Sequence, residues 1–341
     1  MEGLNKLAIG LALALFAVLA WQGLQKEPVQ PVAPRTGILE RLERGNDERL
    51  LQPIPQQLEL DPRKLALGEK LFRDPRLSGK GISCNSCHPL DGAGMDGRSR
   101  SLNLEGGQDV MNTPSIFNVG FYPYLQWRAD QPDLEAQLDA VLTNPRHMGS
   151  TWEAVVRSLM ADADYVRDFE EIYATAPDAA TIRDALATFE RSLITPDSDF
   201  DRWLRGDREA LTERQIEGYR LFQDYGCASC HQGINLGGNL VARYGVFGSP
   251  YKHRPHPLND FDRGVASLSG RSDDRFMFRV PGLRNVAVTA PYFHDGSIAT
   301  LDAAIEHMGR VQLGLDIPRQ DRAALEAFLE SLTGRYRGRK L

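Results

Sequence analysis

Cys84-Asn85-Ser86-Cys87-His88 and Cys227-Ala228-Ser229-Cys230-His231 hold all four cysteines of the 341-residue chain. The segments around them repeat as well. Gly68-x-x-Leu71-Phe72-x-Asp74 precedes the first pentapeptide and Gly218-x-x-Leu221-Phe222-x-Asp224 the second. After each comes a Pro-x-(Ile/Leu)-x-Asn-Val segment, at Pro114 to Val119 and at Pro281 to Val286. Further out, His147-Met148-Gly149 echoes His307-Met308-Gly309, and Asp184 to Leu193 echoes Ala323 to Leu332. Collinear similarity at so long a period predicts two copies of one domain. The boundary falls near Thr195-Pro196-Asp197-Ser198, giving domains at 37–196 and 197–341.

Two cysteines separated by two residues can form thioethers to the two vinyl groups of one haem, with the adjacent histidine held beneath the iron. The pentapeptides therefore predict two c-type haems, attached at Cys84 and Cys87 and at Cys227 and Cys230, with His88 and His231 as proximal ligands. A redox disulfide in each pair needs no following histidine, and a zinc site shared between the pairs leaves the duplication unexplained. The sixth position of each iron decides between electron transfer and catalysis. A thioether there raises the potential and closes the iron, whereas an open position admits a ligand such as peroxide. Met148 and Met308 stand at equivalent places. A methionine at helical spacing is more often core filler than ligand; His147 and His307 beside them could also bind iron, although a lone histidine is more often a satisfied surface or core residue. His253 and His256 receive no role.

The remainder of the chain fits an exported, mainly α protein. The full chain is 42% hydrophobic and 25% charged with a net charge of −6, which excludes disorder and collagen and does not favour a nucleic-acid binder. The basic tail Arg335, Arg337, Arg339, Lys340 is its one block of like charge. Leu7 to Leu24 is uncharged and as a helix would span about 27 Å, so residues 1–24 read as a signal peptide or membrane anchor. Residues 25–36 read as a Pro-rich tether. Apolar stripes at Leu134, Leu138, Val141, Leu142, at Ile182, Leu186, Phe189, Leu193 and at Leu325, Phe328, Leu329, Leu332 predict helices, with Asp133 and Thr300 as N-caps. Strand alternation is scarce. Gly92 to Gly97, Gly233 to Pro257 and Val280 to Pro291 read as long irregular loops wrapping a large buried object.

From Leu65 to Gly334 the chain resembles the bacterial di-haem cytochrome c peroxidases and their MauG-like relatives. The resemblance is carried by Leu71-Phe72-x-Asp74-Pro75-Arg76-Leu77-Ser78, both pentapeptides, Arg191 to Pro196, Leu283 to His294 and Met308-Gly309-x-x-Gln312-Leu313-Gly314. It implies two cytochrome-c-like domains, each wrapping one covalently attached haem: a peroxidatic haem on His88 and an electron-transferring haem on His231 with Met308 as sixth ligand. It further implies a calcium site between the domains using Asn112 and the backbones of Thr289 and Pro291, oxygen ligands suited to that hard cation. Trp127 falls where the family keeps a tryptophan between the haems, as an electron relay, although a packing indole fits the position too. The expected partners are hydrogen peroxide and a small cytochrome c or cupredoxin donor. Periplasmic location, a homodimer, and membrane attachment if the N-terminal segment is retained complete the picture.

Departures from the family pattern are concentrated around the first haem. The position of the distal histidine that caps the resting peroxidatic iron is held by Leu104, and that of the catalytic glutamate by His147. The tryptophan segment reads Gln126-Trp127-Arg128-Ala129-Asp130 instead of Trp-Asp-Gly-Arg. Imidazole titrates near neutrality and suits the proton transfers of O–O cleavage. His147 is thus an acid/base group or, alternatively, an iron ligand that closes the pocket, or neither; Met148 is pocket lining. Three functions follow: peroxide reduction, a MauG-like oxidation of residues in a partner protein, and plain di-haem electron transfer.

Overall fold

The computed structural model describes residues 51–252, 254 and 257–341. The proposed export segment, the tether, residues 37–50, His253 and His256 lie outside them. Helices start where the sequence supplies caps. Asp61 accepts from Arg63 N–H ahead of α1 (Pro62–Phe72), and Asp133 accepts from Ala136 N–H ahead of α3 (Leu134–Thr143), which follows the single turn α2 (Cys84–Cys87). There follow α4 (Trp152–Met160), α5 (Ala163–Tyr173), α6 (Ala179–Ser192), α7 (Asp199–Leu204) and α8 (Glu213–Asp224). The last third contains α9 (Ala266–Ser269), α10 (Leu301–Met308), capped by Thr300, and α11 (Arg319–Glu330).

Two apolar cores organise these helices. In the first, α1 packs on α6 with Phe72 against Phe189 at 5.3 Å between ring centroids; in the second, α8 packs on α11 with Phe222 against Phe328 at 5.2 Å. The repeated glycine has the same task in both. A Cβ on Gly68 would strike the carbonyl oxygen of Ala185, and one on Gly218 that of Ala324, so only glycine lets each pair of helices approach this closely. The repeated asparagines, both in the left-handed region (φ 61° and 63°), meet between the cores. Asn118 Nδ2 and Asn285 Nδ2 each donate to Thr195 Oγ1, at 2.8 and 3.0 Å.

The ends of the described chain cross over. Leu51 packs against the second core, while Tyr336 belongs to the first, its ring 4.9 Å from Phe117. Tyr336 lies in a short hairpin formed by β3 (Arg335–Tyr336) and β4 (Arg339–Lys340), so the basic tail is folded, not extended. The expected loop Gly233 to Pro257 contains β1 (Val241–Arg243), antiparallel to β2 (Met277–Arg279). Three residues of alternation are too few to register as a strand without their partner. Among the described residues, no helix is long and apolar enough to cross a membrane.

Candidate functional site

Both pentapeptides form one tight turn with the same internal bond, from the histidine N–H to the carbonyl oxygen of the first cysteine: 2.9 Å for His88 to Cys84 and 3.0 Å for His231 to Cys227. Each histidine ring is then oriented by a carbonyl. His88 Nδ1 lies 3.0 Å from Gly94 O, and His231 Nδ1 lies 3.1 Å from Pro281 O and 3.3 Å from Leu236 O. Carbonyl oxygens only accept, so Nδ1 carries the proton and Nε2 carries the lone pair that an iron would use. Burial pushes His231 down to about 4 and lowers His88 as well, keeping both rings neutral. The thiols are free, and burial pushes Cys84 up to about 12 and Cys227 up to about 11. No disulfide forms. A shared zinc site is also absent: among the described residues, no group of three or more potential metal ligands includes a cysteine. Neutral histidines oriented by carbonyls, beside paired thiols at the edge of an apolar core, fit c-type haem.

The second pentapeptide opens on a cavity of about 400 Å³ whose walls include Cys227, Cys230, His231, Phe222, Phe293, Leu325 and Met308. Met308 ends α10 and shares this cavity with His231. His307 is engaged elsewhere, its Nε2 lying 2.8 Å from Tyr244 Oη. Trp127, Asn112, Thr289 and Pro291 line the same cavity. Trp127 Nε1 donates to Asn112 O at 3.1 Å, and Asn112 Nδ2 donates to Arg98 O at 2.7 Å.

Around the first pentapeptide, Cys84 packs against a core that includes Met148, only 5% exposed. His147 stands next to it at a sharp corner after α3. Gly149 turns that corner at φ 56°, and a Cβ there would lie 2.8 Å from Leu104 Cδ1. Leu104 is bound to the same corner, its N–H donating to Arg146 O at 3.0 Å. His147 Nε2 lies 2.8 Å from Asp109 Oδ2. Asp109 was not singled out from the sequence; it is 38 positions from His147, and no spacing rule connects a loop carboxylate to a helix-end imidazole at that distance.

A second group that sequence reasoning missed lies close to the second site. Arg254 pairs with Asp262 at 2.7 Å and Asp295 at 3.0 Å, and His294 Nε2 lies 2.8 Å from Asp262 Oδ1, with all four side chains no more than 3% exposed. Burial raises the Asp262 carboxyl, but bonds from His294, Asn259 N–H and Arg254 outweigh it and hold the group at about 2. Asp262, His294 and Asp295 could by their spacing hold a cation, yet the Arg254 guanidinium already pairs with both carboxylates.

Comparison with known proteins agrees with this geometry. The sequence model described as di-haem cytochrome c peroxidase matches residues 62–209. Cytochrome c peroxidase Ccp of Escherichia coli strain K12 is 42% identical over 293 residues, 84% of this chain, which spans only 61% of that protein's length. Cytochrome c551 peroxidase of Nitrosomonas europaea is 36% identical over 330 residues, covering 95% of this chain and 90% of that one. Among solved structures, a MauG-like protein associated with microbial copper homeostasis is 31% identical with a TM-score of 0.70, over 82% of this chain and 92% of that one. An alignment over 95% of the chain necessarily reaches both pentapeptides. The chain therefore belongs to the di-haem cytochrome c peroxidase family, an oxidoreductase of the cytochrome c peroxidase class whose family implies haem cofactors.

Proposed function

We propose that the protein reduces hydrogen peroxide to water, H2O2 + 2 e⁻ + 2 H⁺ → 2 H2O, with electrons entering at the His231 site and used at the His88 site. The carrying observation is the inequality of two equivalent methionines. Met308 faces a cavity together with His231, whereas Met148 is buried in the first core beside a histidine bonded to a carboxylate. When bound, the haems supply the electron path and the site of O–O cleavage. His88 and His231 would hold the irons through the Nε2 lone pairs, the four cysteines would attach the two groups, and Met308 would serve the second site. His147 takes a proton from the attacked peroxide oxygen and returns it to the departing one, a role worth typically about 10²- to 10⁴-fold. Trp127, on the cavity wall, relays electrons between the sites.

The chain's surroundings are read in the same way. A small cytochrome c or cupredoxin is the donor, and the protein is a periplasmic homodimer, held at the membrane if its N-terminal segment persists. Calcium binds through Asn112, Thr289 and Pro291, which all line the cavity. The two cytochrome c domains divide near Thr195. A MauG-like oxidation of a partner protein is the second reading, favoured by Leu104, which offers the first iron no imidazole cap. Met308 weighs against it, since that variant replaces the thioether. The electron-carrier reading requires His147 on the iron through Nδ1, because its Nε2 is bonded to Asp109.

The test is optical and spin-resonance spectroscopy, with peroxide turnover against reduced cytochrome c, on wild type and His147→Ala. Expected are a high-spin, cyanide-binding centre in both and a turnover loss of about 10²-fold or more in the variant. A wild type that is wholly low-spin and binds no cyanide overturns the proposal.

A further inference from the structure

We infer that Asp109 is the positioning residue for His147, holding its imidazole in the Nε2–H tautomer so that Nδ1 is the nitrogen that exchanges protons with peroxide. The inference rests on the reading of His147 as the acid/base group.

The carboxylate is built to accept. Its side chain is 3% exposed, its Oδ2 lies 2.8 Å from His147 Nε2, and its Oδ1 accepts from Val110 N–H at 2.6 Å and faces Arg146 at 3.2 Å. Burial raises this carboxyl, but the bonds from His147 and Val110 N–H, with the Arg146 charge, outweigh it and hold the group below the usual carboxylate range. An ionised carboxylate has no proton to give, so Nε2 must donate, and in the neutral ring the lone pair sits on Nδ1.

The corner carrying the imidazole is held as firmly as the ring. His147 N–H donates to Asn144 O at 3.0 Å, and Met148 O accepts from Gly79 N–H at 3.1 Å and from Ser78 Oγ at 2.9 Å. Asp109 is fixed in turn by its N–H to Ser101 O at 2.8 Å. The pair is therefore clamped at both ends, and the imidazole keeps one orientation between turnovers. A carboxylate that fixes tautomer and orientation is the arrangement by which an Asp supports a His general base in acyl-transfer enzymes. A glutamate at position 147 would gain nothing from Asp109 and would be repelled by it. The carboxylate is thus matched to the histidine this chain carries.

The test compares haem-loaded Asp109→Asn, His147→Ala and the double variant with wild type. One readout is the iron–carbon stretch of bound cyanide, which senses a hydrogen bond from the distal group; the other is the rate of peroxide consumption. Asp109→Asn is expected to shift the cyanide band and slow the reaction by at least about tenfold and by up to about 10⁴-fold, the loss seen when the carboxylate that orients a catalytic histidine is replaced by its amide. In the His147→Ala background the same change should do nothing further. Asp109→Glu, which keeps the charge for Arg146 and Val110, should restore part of the rate; it also serves if the Asn variant does not load haem. An equal effect of the Asp109 change in both backgrounds, or wild-type band and rate in Asp109→Asn, overturns the assignment and leaves the functional proposal standing. Absence of cyanide binding in wild type overturns both.

Discussion

At Glu190, on the inner face of α6, burial pushes the carboxyl up to about 8, with Arg191 pulling it back and Glu135 adding to the rise. The folded state therefore prefers the protonated acid more strongly than the unfolded chain, whose ordinary value is 4.5. Its contribution to stability is fully present below pH 4.5 and is lost as pH rises through about 8. Glu190→Gln should thus leave stability unchanged near pH 4 and raise it, by roughly a few kcal/mol, at pH 9. Urea unfolding at both values checks this, and an equal effect at both would show that the carboxyl does not titrate as buried. Other single residues were open to reading from the chain alone. His88 and His231 are singled out as haem ligands by a five-residue spacing, and Asp133 and Thr300 cap helices because their carboxyl or hydroxyl lies within reach of the third N–H along. Asp109 was not, because its partner is set by where two loops come to rest.

The helix pairs explain why the repeat is visible at all. α1 on α6 and α8 on α11 are the same crossing built twice, each with a glycine against an alanine carbonyl and a phenylalanine pair beside it. Gly218→Ala should force α8 away from α11 and destabilise the protein by about 1–3 kcal/mol, while the same change at the exposed Gly206 terminus of α7, whose surroundings are open, tests only backbone strain. Chemical denaturation of the haem-loaded variants measures both, and an unchanged midpoint for Gly218→Ala would mean that the helices can separate freely. Apolar stripes at three- and four-residue spacing marked these helices because a helix face is a local property. β1 and β2 went unseen because each is three residues long and owes its form to the other.

Across the whole molecule, Arg284 ties distant parts together. It donates to Gln52 O at 3.0 Å, Ile234 O at 3.0 Å and Ser198 Oγ at 3.2 Å, and pairs with Asp201 at 2.7 Å in surroundings that leave the two side chains 2% and 0% exposed. Asp201 also accepts from Ile54 N–H at 3.0 Å. Removing one partner of a buried pair strands the other charge, so Arg284→Met should cost about 3–5 kcal/mol. Arg284→Met with Asp201→Leu should recover much of the loss, since an apolar pair of similar volume is often neutral. Thermal unfolding of the single and double variants decides the matter; a double variant no better than the single would assign the stability to the backbone bonds instead.

The spacing of Cys84, Cys87 and His88, repeated at Cys227, Cys230 and His231, and the repeat around them were enough to identify the family and the helical class and to predict two c-type haems. Those features depend on neighbours within a turn or two, which the covalent chain itself places. Which carboxylate meets His147, how Arg254 gathers Asp262, His294 and Asp295, and why Tyr336 completes the first core while Leu51 joins the second were decided only in three dimensions. Those contacts join residues tens or hundreds of positions apart. They form because packing two cores closes particular loops on one another, and no local pattern records which loops those are.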